Sequence, residues 1–223
     1  MNEGTENRQA IRNIVFDMGG VLYRWEPDIV YRDYPEDDAK LLMDAIYAHP
    51  DWRAFDHGDH DEDEMIERAS ARLPARLRGE AARLVRWYEL TGPVDGMEEL
   101  AGKLKEAGFA LYLLSNTSTA FHRFRERVPA LRFFSGEYIS ADHGLMKPDA
   151  AIFLSFLAEF GLRAEECLFI DDAEVNVAGA RSSGMRGIVF DGDAGHLRQR
   201  LREAGLPFGH HTAYGKESGI THG

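Results

Sequence analysis

The sequence predicts a doubly wound α/β fold, in which helices cover both faces of a parallel sheet, with a small α-helical insertion. Short apolar runs of strand length alternate with amphipathic stretches of helix length over residues 93–205. Residues 28–92 are more charged and follow a helical period instead. We therefore expect the core at 10–27 and 93–205, the helical unit at 28–92, and flexible termini at 1–9 and 206–223.

The first strand is the apolar run from Ile14 to Phe16, typical of a buried parallel strand. It ends abruptly at Asp17, which Gly19 and Gly20 follow closely. An acid here fits a ligand site at the carboxyl end of a strand. It fits equally well a turn in which the side chain hydrogen-bonds its own backbone.

The second α/β segment begins after Gly92-Pro93, a pair that interrupts the helical insertion. Apolar runs predict strands at 110–114, 137–140, 167–170 and 187–190. Amphipathic spacing predicts helices at 97–107, 119–128, 149–160, 174–183 and 195–204.

Composition limits the classes of partner. The 223 residues carry a net charge of −12 at a pI of about 5.2, which argues against nucleic acid and anionic membranes. The single cysteine excludes an internal disulfide, and no apolar run reaches bilayer-spanning length. Residues 1–9 do not resemble a signal peptide, so we expect a cytoplasmic protein, either a monomer or a homodimer.

Polar residues follow three of the predicted strands: Asp17, Ser115-Asn116 and Asp171-Asp172. Parallel strands end at the same edge of a sheet, so these groups should converge. Three gathered carboxylates repel one another, and either protonation or a hard cation such as Mg²⁺ relieves that repulsion. Capping of the following helix is the alternative role for Asp171-Asp172.

Lys147 precedes a proline in a loop between a predicted strand and a predicted helix. A lysine in such a loop is usually a solvated charge. Beside the acids, however, it would hold both the nucleophile and a phosphate oxygen, and Ser115 and the backbone at Asn116 would donate hydrogen bonds to the same group. Together these residues outline a site for phosphoryl transfer from a small phosphorylated molecule.

Four segments in order resemble the motifs of the haloacid dehalogenase-like (HAD) hydrolase superfamily: FDMGGVL (16–22), LLSNTS (113–118), MKPD (146–149) and FIDDAEVNVAGA (169–180). The insertion at 28–92 is similar to that superfamily's helical cap. The resemblance implies a nucleophile that forms an aspartyl-phosphate (Asp17), phosphoryl-binding residues (Ser115, Asn116, Lys147), magnesium ligands (Asp17, the Gly19 carbonyl, Asp171, Asp172) and an orienting residue (Asn176).

One position departs from the motif. Gly19 stands where phosphatases of this superfamily carry a second acid, which protonates the leaving group. In this respect the chain resembles the branch that contains bacterial α-glucose-1-phosphatases, so a sugar phosphate such as a hexose 1-phosphate is the predicted substrate. The candidates for the acid that replaces it are Glu26, Asp28, His122, His143, a cap residue and water.

Two other functions compete with a phosphatase. The superfamily's dehalogenases also lack the second acid, which keeps carbon–halogen hydrolysis open, although the pair Asp171-Asp172 argues against it. The loss of the acid is also compatible with a catalytically weakened binding or regulatory protein. Two groups of residues are expected to have no catalytic role: the solvated acidic run 56–64, and the packing aromatics Trp52, Phe55, Trp87 and Tyr88.

Overall fold

The computed structural model describes residues 10–207, which form a five-stranded parallel sheet in the order β3-β2-β1-β4-β5. The strands are β1 (Asn13–Phe16), β2 (Ala110–Ser115), β3 (Gly136–Ile139), β4 (Cys167–Asp171) and β5 (Arg186–Val189). β1 lies at the centre and pairs with β2 on one side and β4 on the other. The predicted doubly wound fold is confirmed, and the three polar strand ends meet at one edge.

Alternation along β1 explains why both faces of the sheet are covered. Ile14 and Phe16 belong to a large apolar cluster on one face, whereas Val15 belongs to a smaller cluster on the other. The helices of this α/β part are α6 (Met97–Glu106), α7 (Phe121–Phe124), α8 (Ser140–His143), α9 (Ala150–Glu159), α10 (Glu174–Ser182) and α11 (Ala194–Glu203).

The segment between β1 and α6 is helical, as predicted. It contains α1 (Ile29–Asp33), α2 (Glu36–Ala45), α3 (Pro50–His57), α4 (Glu62–Arg72) and α5 (Glu80–Val85). No helix among residues 10–207 combines the length and apolar character that crossing a bilayer requires.

The acidic run 56–64 extends from the end of α3 to the start of α4, where Asp61 and Glu64 form a capping box. The expectation that the run is solvated is wrong at Glu62, which is 4% exposed. Its carboxylate accepts hydrogen bonds from Arg86 and Tyr88, both at 2.8 Å. Burial of this acid is compatible with stability because it is paired.

Two predicted elements differ from the structure. The helix expected at 119–128 is reduced to α7, followed by a 3-10 turn at Arg125–Arg127. Val128 leaves the helical conformation, since the residue before a proline is disfavoured there. Leu206, assigned to the flexible terminus, is buried, and residues 1–9 and 208–223 lie outside the described residues.

Gly179 brings α10 against the loop that carries Lys147. A Cβ at this position would lie 2.5 Å from the Pro148 carbonyl oxygen. We expect Gly179→Ala to lower the free energy of unfolding in urea by about 1 kcal/mol or more, because overpacking outweighs the better helix propensity of alanine.

Gly102→Ala in α6 is the matched control, because a Cβ there meets only the tip of the Phe133 ring, at 3.2 Å. Its stability should stay the same or rise by up to ~1 kcal/mol. Equal stability of Gly179→Ala and the wild-type protein would contradict close packing at this loop.

Candidate active site

Asp17 follows the central strand and is 7% exposed. A tight turn comes next, in which Leu22 N and Tyr23 N donate to the Met18 carbonyl at 2.8 and 2.9 Å. Gly20 has a φ of +74°, and a Cβ there would overlap the Asp172 carboxylate. Glycine at 20 therefore lets the turn approach β4, and so explains one of the two glycines of this segment.

Lys147 joins the ends of the two central strands. Its Nζ lies 2.8 Å from Asp17 Oδ1 and 2.6 Å from Asp171 Oδ2, and the residue is only 2% exposed. The structure therefore places Lys147 beside two of the predicted acids, whereas its catalytic role stays a prediction.

Asn116 holds the backbone of Lys147 from both sides. Its side-chain nitrogen donates to the Lys147 carbonyl at 3.0 Å, and its oxygen accepts from Lys147 N at 2.9 Å. The side chain is thus occupied in positioning the lysine, while its role in phosphate binding stays a prediction. Ser115 is buried at the end of β2.

The acids at the end of β4 are held in place by local donors. Asp171 Oδ1 accepts hydrogen bonds from Ala173 N at 2.8 Å and from Asn176 Nδ2 at 3.0 Å. Asp171 is therefore the residue that Asn176 would orient in its predicted role. Oxygens of Asp17, Asp171 and Asp172 lie within 4.8 Å of one another.

This set of donors fits a magnesium ion. Hard carboxylate oxygens are the ligands that Mg²⁺ prefers. Asp17 Oδ1 is buried, and Lys147 Nζ pairs with it at 2.8 Å without a further hydrogen-bond partner among residues 10–207. An under-satisfied buried oxygen in an acidic cluster is what a cation would neutralise.

Burial governs the charges at this centre. Desolvation raises the pKa of Asp17 to about 7, although the Lys147 ammonium acts in the opposite direction. Burial alone would lower the pKa of Lys147, but the charges of Asp17 and Asp171 outweigh it and raise that pKa. Lys147 therefore remains a cation while Asp17 is poised between its two protonation states.

A cavity of about 540 Å³ opens in front of Asp17. The predicted site residues that line it are Asp17, Gly19, Asn116 and Asp172. The remaining lining residues are Met18, Trp25, Pro27, Asp28, Met43, Tyr47, Ala48, Trp52, Asp56, Trp87 and Thr117. Most of this second group comes from the loop after β1 and from the helical segment.

Asp56 is the site residue that the sequence interpretation missed, since it was assigned to the solvated acidic run. It lies in the last turn of α3 and faces the same cavity as Asp17. Burial among protein atoms, followed by the charge of Asp17, raises the pKa of Asp56 well above its usual range. Its spacing of four residues from Trp52, on one helix face, was the available signal.

The other candidate acids lie differently. His122 pairs with Asp142 at 3.0 Å, and the ring of His143 stacks on Tyr138 at 3.7 Å. Neither histidine, nor Glu26, is among the described residues that line the cavity, whereas Asp28 is.

The four aromatic residues predicted to pack lie in two kinds of place. Phe55 is 2% exposed, and Tyr88 stacks on Phe124 at 4.3 Å, as expected of packing residues. Trp87 also packs on Phe124, at 5.8 Å, but both it and Trp52 line the cavity as well. Trp25 and Tyr47, which no sequence pattern singled out, complete this aromatic side.

The fold and the site together define an α/β protein that gathers acids and a lysine at the carboxyl edge of a parallel sheet. The family model of the haloacid dehalogenase-like hydrolases matches residues 11–184, and the chain belongs to this family of enzymes.

Several named enzymes are similar to this chain. The chain is 29% identical over 177 residues to the sesquiterpene phosphatase astK of Aspergillus oryzae, covering 78% of this chain and 87% of that protein. It is 28% identical over 198 residues to flavin mononucleotide hydrolase 1 of Arabidopsis thaliana, covering 86% and 77%. A HAD enzyme of Bacteroides thetaiotaomicron, solved with magnesium and inorganic phosphate, aligns with a TM-score of 0.65 at 21% identity, covering 84% and 99%.

The raised pKa of Asp17 makes a stability prediction for the metal-free protein. Between about pH 4 and pH 7 the folded state binds the Asp17 proton more tightly than the unfolded state, so stability falls as pH rises through this window. Asp17→Asn removes this loss of stability, because the amide does not ionise. In EDTA at pH 8 we expect the Tm of Asp17→Asn to exceed that of the wild-type protein, by roughly 2–4 °C for each kcal/mol gained in the free energy of unfolding. The difference should shrink toward pH 4.

Glu67→Gln, which removes an exposed carboxylate on α4, is the control and should leave the pH dependence of Tm unchanged. A lower Tm for Asp17→Asn than for the wild-type protein at pH 8 would show that the Lys147 ion pair outweighs desolvation.

Proposed function

We propose that the enzyme is a magnesium-dependent phosphatase that hydrolyses a small phosphomonoester through an aspartyl-phosphate on Asp17. The observation that carries this proposal is the buried Lys147 between Asp17 and Asp171, with Asp172 beside them. A fixed cation and three carboxylates at one edge are suited to a phosphoryl group bound together with a divalent ion. The name of one relative, the sesquiterpene phosphatase, supports the same reading.

Each group at the centre has a defined task in this proposal. Asp17 attacks phosphorus, the bond to the alcohol oxygen breaks, and water later attacks the acyl-phosphate to release inorganic phosphate and regenerate the carboxylate. Lys147 holds Asp17 in place and balances charge on the phosphoryl oxygens. Ser115 and the backbone near Asn116 donate hydrogen bonds to those oxygens.

Asp17, Asp171, Asp172 and the Gly19 carbonyl would hold the magnesium ion. When bound, the ion supplies positive charge that offsets the repulsion between the carboxylates and the phosphate.

The proton for the leaving group falls to Asp56 in this proposal. Asp56 lines the same cavity as the nucleophile, and burial raises its pKa, which favours the neutral form that can donate a proton. It donates its proton to the departing alcohol oxygen, and as a carboxylate it then accepts a proton from the attacking water. The helical unit at 28–92 thus acts as a cap that completes the chemistry missing at Gly19.

The finer expectations are also part of the proposal. A hexose 1-phosphate, from the resemblance to α-glucose-1-phosphatases, stays a prediction, as do the cytoplasmic location and the monomeric or homodimeric state.

Asp17→Asn should abolish phosphate release, because the amide cannot form the acyl-phosphate. The measurement is inorganic phosphate released from a panel of phosphomonoesters with magnesium, and EDTA should abolish the activity of the wild-type enzyme as well. Turnover by Asp17→Asn would contradict the covalent mechanism. Turnover by the wild-type enzyme in EDTA would contradict its dependence on a metal.

Asp56→Asn should lower kcat for alkyl phosphates by roughly 10²–10⁴-fold, the usual contribution of general acid–base catalysis. The loss should be much smaller for p-nitrophenyl phosphate, whose leaving group needs no proton. Asp59→Asn, an exposed acid of the same run, is the control and should leave both substrates unaffected.

Adding Gly19→Asp to Asp56→Asn tests the same role by rescue. A Cβ at Gly19 meets only Trp25 Cβ at 3.6 Å, so an acid fits there. Partial recovery of alkyl phosphate turnover is expected. Equal losses for alkyl and aryl substrates in Asp56→Asn, without rescue, would assign Asp56 to structure alone.

A further inference from the structure

All three tryptophans of the chain line the cavity in front of Asp17. Trp25 stacks on Trp52 with ring centroids 5.3 Å apart and meets the Trp87 ring edge-on at 4.9 Å. Tyr47 closes the group, at 5.3 Å from Trp25 and 4.9 Å from Trp52. We call these four residues the aromatic wall.

Packing within the protein leaves part of the wall uncovered. Trp25, Tyr47 and Trp52 stay partly exposed at the border of the main apolar cluster, whereas Trp87 is 9% exposed. The Tyr47 hydroxyl donates to the Leu84 carbonyl at 2.7 Å, so its hydrogen is already engaged. The wall therefore offers the cavity mainly ring surface, which gains free energy when an apolar group covers it.

No cation at the wall would pair with an anionic organic group. Asp28, Asp56 and Asp172 line the cavity, and no lysine or arginine does so among the described residues. A second phosphate or a carboxylate on the substrate would lose water without gaining a cation to pair with it. This distinguishes the cavity from one built for a carboxylated or doubly phosphorylated substrate.

Hydroxyl groups would also find few partners at the wall. Away from the edge that holds Asp17, the polar side chains of the lining are Asp28, Asp56 and Tyr47. A sugar ring placed there would lose water from several hydroxyls with few new hydrogen bonds to replace it, which costs free energy.

We infer that the organic part of the substrate is a neutral, hydrophobic alcohol, bound against the wall formed by Trp25, Tyr47, Trp52 and Trp87. The cavity volume of about 540 Å³ accommodates such a group together with the phosphate. This inference rests on the proposed phosphatase activity and competes with the sugar phosphate prediction.

The test compares three monoesters of primary alcohols, so that leaving groups are similar: 2-naphthylmethyl phosphate, geranyl phosphate and glucose 6-phosphate. With magnesium, kcat/KM should be at least tenfold higher for the first two. Trp52→Ala should raise KM for these two by roughly tenfold, with little change in KM for glucose 6-phosphate, since one ring face is lost. Trp52→Phe should restore most of the preference.

Tyr112→Leu is the control for loss of an aromatic residue elsewhere. Tyr112 packs on Phe156 and Phe160, in the smaller apolar cluster, and does not line this cavity. The preference should survive this substitution. A wild-type enzyme that hydrolyses glucose 6-phosphate as well as geranyl phosphate would overturn the inference and leave the phosphatase proposal standing.

Binding gives a readout that is independent of turnover. Because every tryptophan lines the cavity, tryptophan fluorescence of Asp17→Asn with magnesium reports its occupancy. Geranyl phosphate should shift this fluorescence saturably, with an apparent Kd at least tenfold below that of glucose 6-phosphate. Equal affinities, or no saturable shift, would overturn the inference. A saturable fluorescence shift with geranyl phosphate would support the inference even if the wild-type enzyme hydrolysed none of the three esters. That combination of results would overturn the phosphatase proposal.

Discussion

The organisation of the site depends on one buried ammonium group. Lys147 is almost fully excluded from water and is tolerated there because Asp17 and Asp171 pair with it at 2.8 and 2.6 Å. Without these two carboxylates the ammonium group would be an uncompensated buried charge, which is strongly destabilising. The Asn116 side chain and the close packing at Gly179 both fix the loop that presents the lysine.

Two parts of the chain divide the work. The ends of β1 and β4 supply the acids, so sheet register alone brings residues far apart in sequence to within 4.8 Å. The loop after β1 and the helical segment supply Trp25, Tyr47 and Trp52, together with Asp56. In the proposed mechanism, the nucleophile and the metal ligands thus lie at the edge of the sheet, whereas the proton donor and the aromatic wall lie on the loop after β1 and on the helices that follow it.

The sequence was sufficient for the sheet and for its acidic edge, because strand polarity places such residues together whatever the details of packing. It was insufficient for Asp56, whose run of charges is typical of a solvated helix start. Only the tertiary placement of α3 distinguishes Asp56 from exposed Asp59. The aromatic residues posed the same problem: Phe55 and Trp52 have the same type of side chain on one helix, and only one of them lines the cavity.

Helix α3 carries both a face of the aromatic wall and the proposed proton donor, Trp52 and Asp56, one turn apart. Its end is fixed to the core, because Ser140 Oγ donates to the Asp56 carbonyl and Gly58 approaches the Ala141 backbone too closely for a side chain. Under both proposals, a substitution that shifts this helix would alter hydrophobic fit and proton delivery at once. Evolution could separate the two traits by replacing Trp52 or Asp56 itself, whereas a directed-evolution library at the positions that support α3 would change substrate range together with tolerance of poor leaving groups.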